Sequence, residues 1–446
     1  MTKLFQEFKP ADYDSWINQL KKDLKDKPLE ALESNPEKEI AIKAYYHPVQ
    51  DQFKETQSSL ANNFSKSSNN WAIRREYPEG SNAVILNDLN NGIDAISLPA
   101  NSSDQFSKDQ NGILFKHIVS DVRFENKNAA MEISVANESH LNFDIISINA
   151  KAGEEKFTMN DFVAFYQKRN QNKTIWINGF SYGEAGASTI QELAFTLAHL
   201  NEYVHALKES GADLKSINEK TILELSVNDN YFVNLAKFRA IRELVGLLFS
   251  GYDADFKTEN PIIYAKTTSR FLALNDRNNN FLRQTTQAMS AVLGGCDVLT
   301  ISTLKSANPE EEILNQRMAK NIQLVLREES YFDKVLDPAA GSMYLENLTD
   351  QLIEKAWNLF KEIESNGGLI LGIQNNTIQN QIEENKNYLI EKLRSGKQTF
   401  LGVNKFPSSL EKWTDVKPEQ TEPAGSFKPL SSFSLESFHQ SKTVVS

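Results

Sequence analysis

Few residues in this chain have the type and spacing that chemistry needs. His199 and His205 sit on the apolar-periodic run Ile190 to Leu207 without metal-ligand spacing, so they read as packing or solvent-facing groups. The consecutive acids Glu310, Glu311 and Glu312 invite a metal site. Asn308 as a cap, Pro309 in the first turn and acids facing the positive end of a helix dipole explain them without one. Cys296 is the single thiol; it permits no internal disulfide and no multi-cysteine metal site, which fits a reducing compartment. The stretch with the strongest functional pattern is Gly179-Phe180-Ser181-Tyr182-Gly183-Glu184-Ala185-Gly186-Ala187. A strand-like run, Thr174 to Ile177, precedes it. Ile190, Leu193, Ala194, Leu197, Leu200, Val204 and Leu207 follow at helical spacing. Strand, glycine-rich loop and long amphipathic helix form the unit of a β/α fold, and in a barrel of such units chemistry sits on the loops at the carboxyl ends of the strands.

The surrounding elements repeat that unit. Thr221 to Val227, Pro261 to Thr267 and Cys296 to Ser302 read as strands. Helices are expected from Asn230, from Asn280 to Leu293 with Gly294-Gly295 closing it, from Asn308 with Leu314, Met318, Ile322 and Val325 on one face, and from Glu346 to Glu364. Earlier in the chain, Asn82 to Leu89 and Met159 to Lys168, the latter opened by Thr158, read as helices. Ile93 to Leu98 and Phe143 to Ile148 read as strands, and Asn101 to Asn111 as a surface loop. Before residue 71, Tyr13 to Leu24 forms a helix that buries Trp16, Leu20 and Leu24 and exposes Lys21, Lys22 and Lys25. Glu39 to Tyr46 reads as a strand, and Asp51 to Lys66 as a weak helix or a loop. Pro407 to Ser446 has the Ser, Pro, Glu and Lys content of a mostly disordered tail.

The length of 446 residues suits one α/β barrel with extensions. A formal net charge of −11 argues against a nucleic-acid or anionic-membrane partner, because both need a concentrated basic face. The start Met1 to Glu7 lacks the basic residues and apolar run of a signal peptide, and no apolar stretch is long enough to span a bilayer. A cytoplasmic protein is expected.

The segment GFSYGEAGASTIQELAFTLAHLNEYV resembles that of the methylmalonyl-CoA mutases, cobalamin-dependent radical isomerases that interconvert methylmalonyl-CoA and succinyl-CoA. Their catalytic chains read Gly-Tyr-His-x-x-Glu-Ala-Gly-Ala here, the Tyr and His lining the site of rearrangement. Phe180 and Ser181 occupy those places. Trp71 to Tyr77 is similar to the family's Trp-Thr-Ile-Arg-Gln-Tyr, which catalytic chains precede with Thr-Met-Tyr-Arg-Pro-Arg-Pro. Here the preceding span is Phe64 to Asn70, with Lys66 where a substrate-facing Tyr would stand. Counting without gaps puts Ile262 in place of an arginine and Lys266 in place of a glutamine. Asp297 replaces another glutamine, an unfavourable charge beside an anionic substrate. Asp337 to Tyr344 and Gly402 to Phe406 resemble later motifs, so the likeness runs from Trp176 to Phe406.

The resemblance implies an α/β fold: a TIM-type (β/α)8 barrel over residues 71–406, an N-terminal extension over 1–70 that contacts a partner, and a tail over 407–446. It implies no cobalamin-binding Rossmann-like domain, since no histidine lies in the family's Asp-x-His-x-x-Gly. The implied role is the small, non-catalytic subunit of a heterodimeric adenosylcobalamin-dependent methylmalonyl-CoA mutase in propionate metabolism, stabilising the catalytic large subunit that carries the cofactor. Phe180, Ser181, Lys66, Ile262, Lys266 and Asp297 are then degenerate site positions, and no catalytic, cofactor-binding or metal residue is expected on this chain. Two alternatives remain: an acyl-CoA mutase barrel that uses cobalamin bound on a separate chain, and a scaffold or chaperone for the mutase.

Overall fold

The computed structural model describes residues 12–25, 27–46, 66, 68–306, 308–407 and 425–439. Its centre is eight strands: β1 (Ala72–Glu76), β2 (Ala95–Pro99), β3 (Val119–Arg123), β4 (His140–Asn142), β5 (Ile175–Asn178), β6 (Thr221–Val227), β7 (Ile262–Thr267) and β8 (Val298–Thr300). All pair in parallel, in the order β4-β3-β2-β1-β8-β7-β6-β5. Pairing of β1 with β8 joins the first strand to the last. The remaining seam, β4 to β5, is bridged by the Leu141 N–H to the Lys173 carbonyl at 2.8 Å and by the Asn178 N–H to Asp144 Oδ2 at 3.0 Å. The result is a nearly closed (β/α)8 barrel, as expected.

The helices of the second half are long: Thr189–Glu209, Tyr231–Tyr252, Asn278–Leu293, Pro309–Leu324 and Met343–Ser365. Side chains fix several of their starts. Ser188 and Gln191 form a capping box, and Asn230 and Asn308 accept backbone N–H groups of the first turn. Asn308, Pro309 and the three glutamates therefore make a helix start. Among the described residues no group of three or more His, Cys, Asp or Glu side chains is placed to hold a metal ion, and no helix is long and apolar enough to cross a membrane.

Three local expectations are corrected. Phe143 to Ile148 is not a strand: β4 ends at Asn142, and Asp144 caps the helix Ile145–Ala152 by accepting the Ser147 N–H at 3.2 Å. Asn101 to Asn111 holds the helix Ser103–Asp109, capped by Ser102. Glu39 to Tyr46 makes only an isolated bridge between Ser34 and Ile42, having no neighbouring strand to pair with. The stretch Asp51 to Lys66 lies outside the described residues except for Lys66.

Described segments towards each end of the chain, 27–46 and 425–439, pack on the barrel. The helix Tyr13–Leu24 forms as expected, but Trp16, Leu20 and Leu24 are only half-buried. Trp16 stacks at 4.9 Å on Tyr45 of the same extension. Further along, Ile40 is buried, and Glu37 accepts the N–H and hydroxyl of Thr189 at 2.9 and 2.6 Å. Residues 425–439, assigned by composition to a disordered tail, are packed instead. Phe427, Leu430, Phe433 and Leu435 are buried, and the carboxylate of Glu436 accepts the Leu274 N–H at 2.6 Å and the Asn275 N–H at 3.0 Å. Sparse apolar residues and one satisfied buried carboxylate hold this stretch down; a composition average does not register either.

Candidate functional site

The inward residues of a barrel strand recur every second position, so each strand contributes in turn to a floor, a middle layer and a mouth. Ala95, Trp176, Ile222, Tyr264 and Val298 form a buried cluster that Ala72, Val119 and Ile262 pack against. This is the amino-end floor. One step higher, Arg74 is fixed by Asp121, with Nε to Oδ1 at 2.6 Å and Nη2 to Oδ2 at 2.9 Å. Its Nη1 donates to Thr300 Oγ1 at 2.9 Å and to Glu76 and Glu224 at 3.2 and 3.4 Å. Ser97 donates to Asp121 at 2.6 Å. The guanidinium also lies 5.3 Å from the ring centroid of Tyr264, whose hydroxyl meets His140 Nδ1 at 2.8 Å. These side chains fill the barrel axis.

Above them a cavity of about 970 Å³ opens at the carboxyl ends of the strands. Phe180, Ser181, Glu184, Lys151, Lys266 and Ser269 are among its lining residues. Lys266 donates to both oxygens of Glu76, at 2.9 and 2.8 Å, and sits 4.8 Å from the Phe180 ring centroid. Burial alone would raise the Glu76 carboxyl; Lys266, Arg74 and Arg123 outweigh it and hold the group well below the usual carboxylate range. Glu224 goes the other way, because burial exceeds the help it receives from Arg74 and Lys266. Burial likewise pushes His140 down to about 4.

The segment after β5 is a short helix, Phe180–Ala185, set directly on the strand end. Its glycines are required by close packing. A Cβ at Gly179 would fall 2.3 Å from Thr196 Oγ1, and one at Gly183 would fall 2.3 Å from Ser226 Oγ. Behind them lies a buried ion pair, Lys237 Nζ to Glu192 Oε2 at 2.9 Å, with both serine donors of Ser226 turned onto Glu192. The glycine scaffold is thus needed for packing whether or not Phe180 and Ser181 react with anything. Ser181 donates its N–H to Asn178 Oδ1 at 3.0 Å, while its buried hydroxyl has no partner among the described residues. A tie from that hydroxyl to backbone near Glu184, a natural expectation for a packing serine, does not form; Glu184 takes the N–H and hydroxyl of Ser269.

The six sequence-singled positions separate into two sets. Phe180, Ser181 and Lys266 meet at the mouth. Lys66, Ile262 and Asp297 lie at the amino end. Asp297 precedes β8, accepts the Ile263 N–H at 2.7 Å and pairs with Lys66 and Arg242. Asp297 is therefore compensated far from the mouth, and its charge says nothing against an anion there. Ile262 packs on the floor. His199 is buried between Asp144 at 2.9 Å and the Tyr182 hydroxyl at 3.1 Å, and His205 is exposed beside Glu209. Sequence reasoning passed over Arg74, Glu76, Asp121 and Lys151. The signal that marks the first two is a run of charge, Arg74-Arg75-Glu76, directly after the buried Ile73 inside a strand.

A family profile described as methylmalonyl-CoA mutase matches residues 152–428. The chain belongs to the methylmalonyl-CoA mutase family. It is 26% identical to the methylmalonyl-CoA mutase small subunit of Porphyromonas gingivalis, over 92% of this chain and 72% of that one. Against the large subunit of the same organism it is 30% identical, over 58% of this chain and 37% of the relative. Against the methylmalonyl-CoA mutase of Rhizobium meliloti it is 34% identical over 54% of this chain, a match that spans 34% of the relative. The chain thus covers about a third of the longer mutases and most of the small subunit. The family profile falls largely on the half of the barrel whose helices are long.

Proposed function

We propose that this chain is the non-catalytic small subunit of a heterodimeric methylmalonyl-CoA mutase and that it stabilises a longer homologous chain, which binds adenosylcobalamin and turns over the substrate. The observation that carries this reading is the barrel axis: Arg74, Asp121, Trp176 and Tyr264 fill it, below a mouth where Phe180 and Ser181 stand at the reacting positions. The paired small- and large-subunit names of the Porphyromonas gingivalis relatives support a two-chain assembly. The described residues do not fit a corrin. Among the described residues no histidine lines the mouth, and half-buried His140 and buried His199 are already tied to Tyr264 and Asp144.

The partner-contact role belongs to the helix Tyr13–Leu24, whose apolar stripe is left half-buried, and not to Glu37 and Ile40, which dock on the barrel. Deleting residues 1–25 and measuring affinity for a co-expressed longer relative tests this. Association should weaken at least tenfold, with the unfolding transition of the isolated chain shifted little. Unchanged affinity removes the helix from the interface, and methylmalonyl-CoA turnover by the isolated chain removes the non-catalytic reading. The open mouth favours one second reading, a barrel that borrows cobalamin from a separate chain; turnover restored by such a chain alone would select it.

A further inference from the structure

Cations exceed carboxylates at the mouth of the barrel. Among the residues lining the cavity six are Lys or Arg and four are Glu, and one of the four, Glu184, is engaged by Ser269. Arg74 and Lys266 have carboxylate partners at hydrogen-bond distance. Lys151 and Arg123 have none among the described residues. Lys151 ends the helix after β4 and lines the cavity, which is open enough that the residue is exposed. Desolvation at the cavity wall, and then the charge of Lys266, lower its pKa against the opposite pull of Glu224, Asp144 and Glu76, none of which reaches ion-pair distance. Arg123 ends β3, its Nε buried without an acceptor, and it acts on Glu76 from that side. Ser181 adds a buried hydroxyl, also without a partner, to the cavity wall.

Each of these groups lacks the same thing, an oxygen acceptor bearing negative charge. On a chain of net charge −11 this local surplus runs against the overall field. We propose that the mouth is a binding site for a compact oxyanion, a phosphate or a carboxylate, held by Lys151 within the field of Arg123 and hydrogen-bonded by Ser181. The axis filled by Arg74, Trp176 and Tyr264 stops such a ligand at the mouth, so it does not thread the barrel. The site is independent of whether the chain takes part in turnover.

The test uses the full chain and two probes, inorganic phosphate and malonate, each titrated by calorimetry and followed by melting temperature against sodium chloride at matched ionic strength. One probe should bind saturably and raise the melting temperature beyond the salt control; the one that does identifies the class. Lys151→Gln should weaken that binding at least tenfold and Ser181→Ala severalfold. Neither change should alter the melting temperature without ligand, because Lys151 is exposed and the Ser181 hydroxyl makes no bond. No saturable binding by either probe, or binding that survives both substitutions, overturns the proposal. Saturable binding by coenzyme A alone also overturns it, since the ligand would not then be compact.

Discussion

The two ends of this barrel are built from the same strands and differ in almost everything else. Ile222 on β6, Ile262 on β7 and Ala72 on β1 belong to the apolar floor. Two residues further along the same strands stand Glu224, Tyr264 and Arg74, and two further again Ser226, Lys266 and Glu76. The floor is closed by aromatic rings, whereas the mouth is charged and open to solvent. A barrel can thus hold its stability in one end and vary the other, since successive inward positions of a strand fall in different layers. The six positions singled out in the sequence straddle this divide, and only Phe180, Ser181 and Lys266 line the cavity.

The largest effect should come from the middle layer. Arg74→Ala leaves Asp121, buried and accepting from Ser97, without its counter-charge, and leaves Glu224 without its nearest cation. Removing one partner of a buried ion pair costs about 3–5 kcal/mol. Denaturant unfolding of the isolated chain should show that loss, or the variant should fail to accumulate. A cost below about 1 kcal/mol would mean that water enters this layer, and the contrast between a sealed axis and an open mouth would not hold.

A smaller effect is expected from pH. Burial lowers His140 from its ordinary 6.5 to about 4, against the raising influence of Asp121 and with Lys173 and Arg74 acting in the same direction as burial. The unfolded chain therefore binds a proton that the folded chain refuses between those two values. Stability contributed by neutral His140 is present above pH 6.5 and is lost as pH falls towards 4, by at most about 3 kcal/mol. His140→Gln should flatten the stability profile in that window while leaving the slope below it. An unchanged slope from pH 6.5 to 4 would assign the acid sensitivity to other groups.

How far the sequence reveals this molecule follows the same division of physics. Helices with a cap and a long apolar period were legible to within about three residues at their ends, Asn278–Leu293 and Met343–Ser365 starting earlier than expected. Thr158 opens Met159–Lys168, and Tyr13–Leu24 has the predicted bounds. Phe143 to Ile148 misleads because aromatic and β-branched residues favour strands only in a paired, half-buried setting, and Asp144 spends its side chain on a helix cap and on His199. The packed stretch 425–439 is invisible to composition, because its anchor is a single buried glutamate meeting backbone N–H groups of a loop far away in sequence. Of the site, the Gly179 to Ala187 segment was legible from its spacing. The Arg74 network was not, since its partners come from β1, β3, β6 and β8 and meet only once the sheet closes.

The smallest effect should come from the mouth itself, at Phe180. Filling of the axis would suggest that this ring is a core residue whose loss is costly. The structure gives that part to Trp176, which is buried among Tyr264 and the floor, so that Trp176→Ala should cost about 3–5 kcal/mol. Phe180 is half-buried at the cavity wall, and its one specific contact is the Lys266 ammonium. Lys266 keeps Glu76 as its partner when the ring is removed. Phe180→Ala should then cost about 1 kcal/mol, the size of a partly exposed cation–π contact with some lost area. In the complex reconstituted with a longer mutase chain, it should leave the rate per assembled heterodimer unchanged. Ser181→His should also leave that rate unchanged, since an added imidazole is not enough to rebuild a site whose axis is filled by Arg74 and its partners. A large fall in rate at full assembly after either change would place this mouth in the chemistry, and the division between a stabilising end and a replaceable one would then have to be redrawn around Phe180.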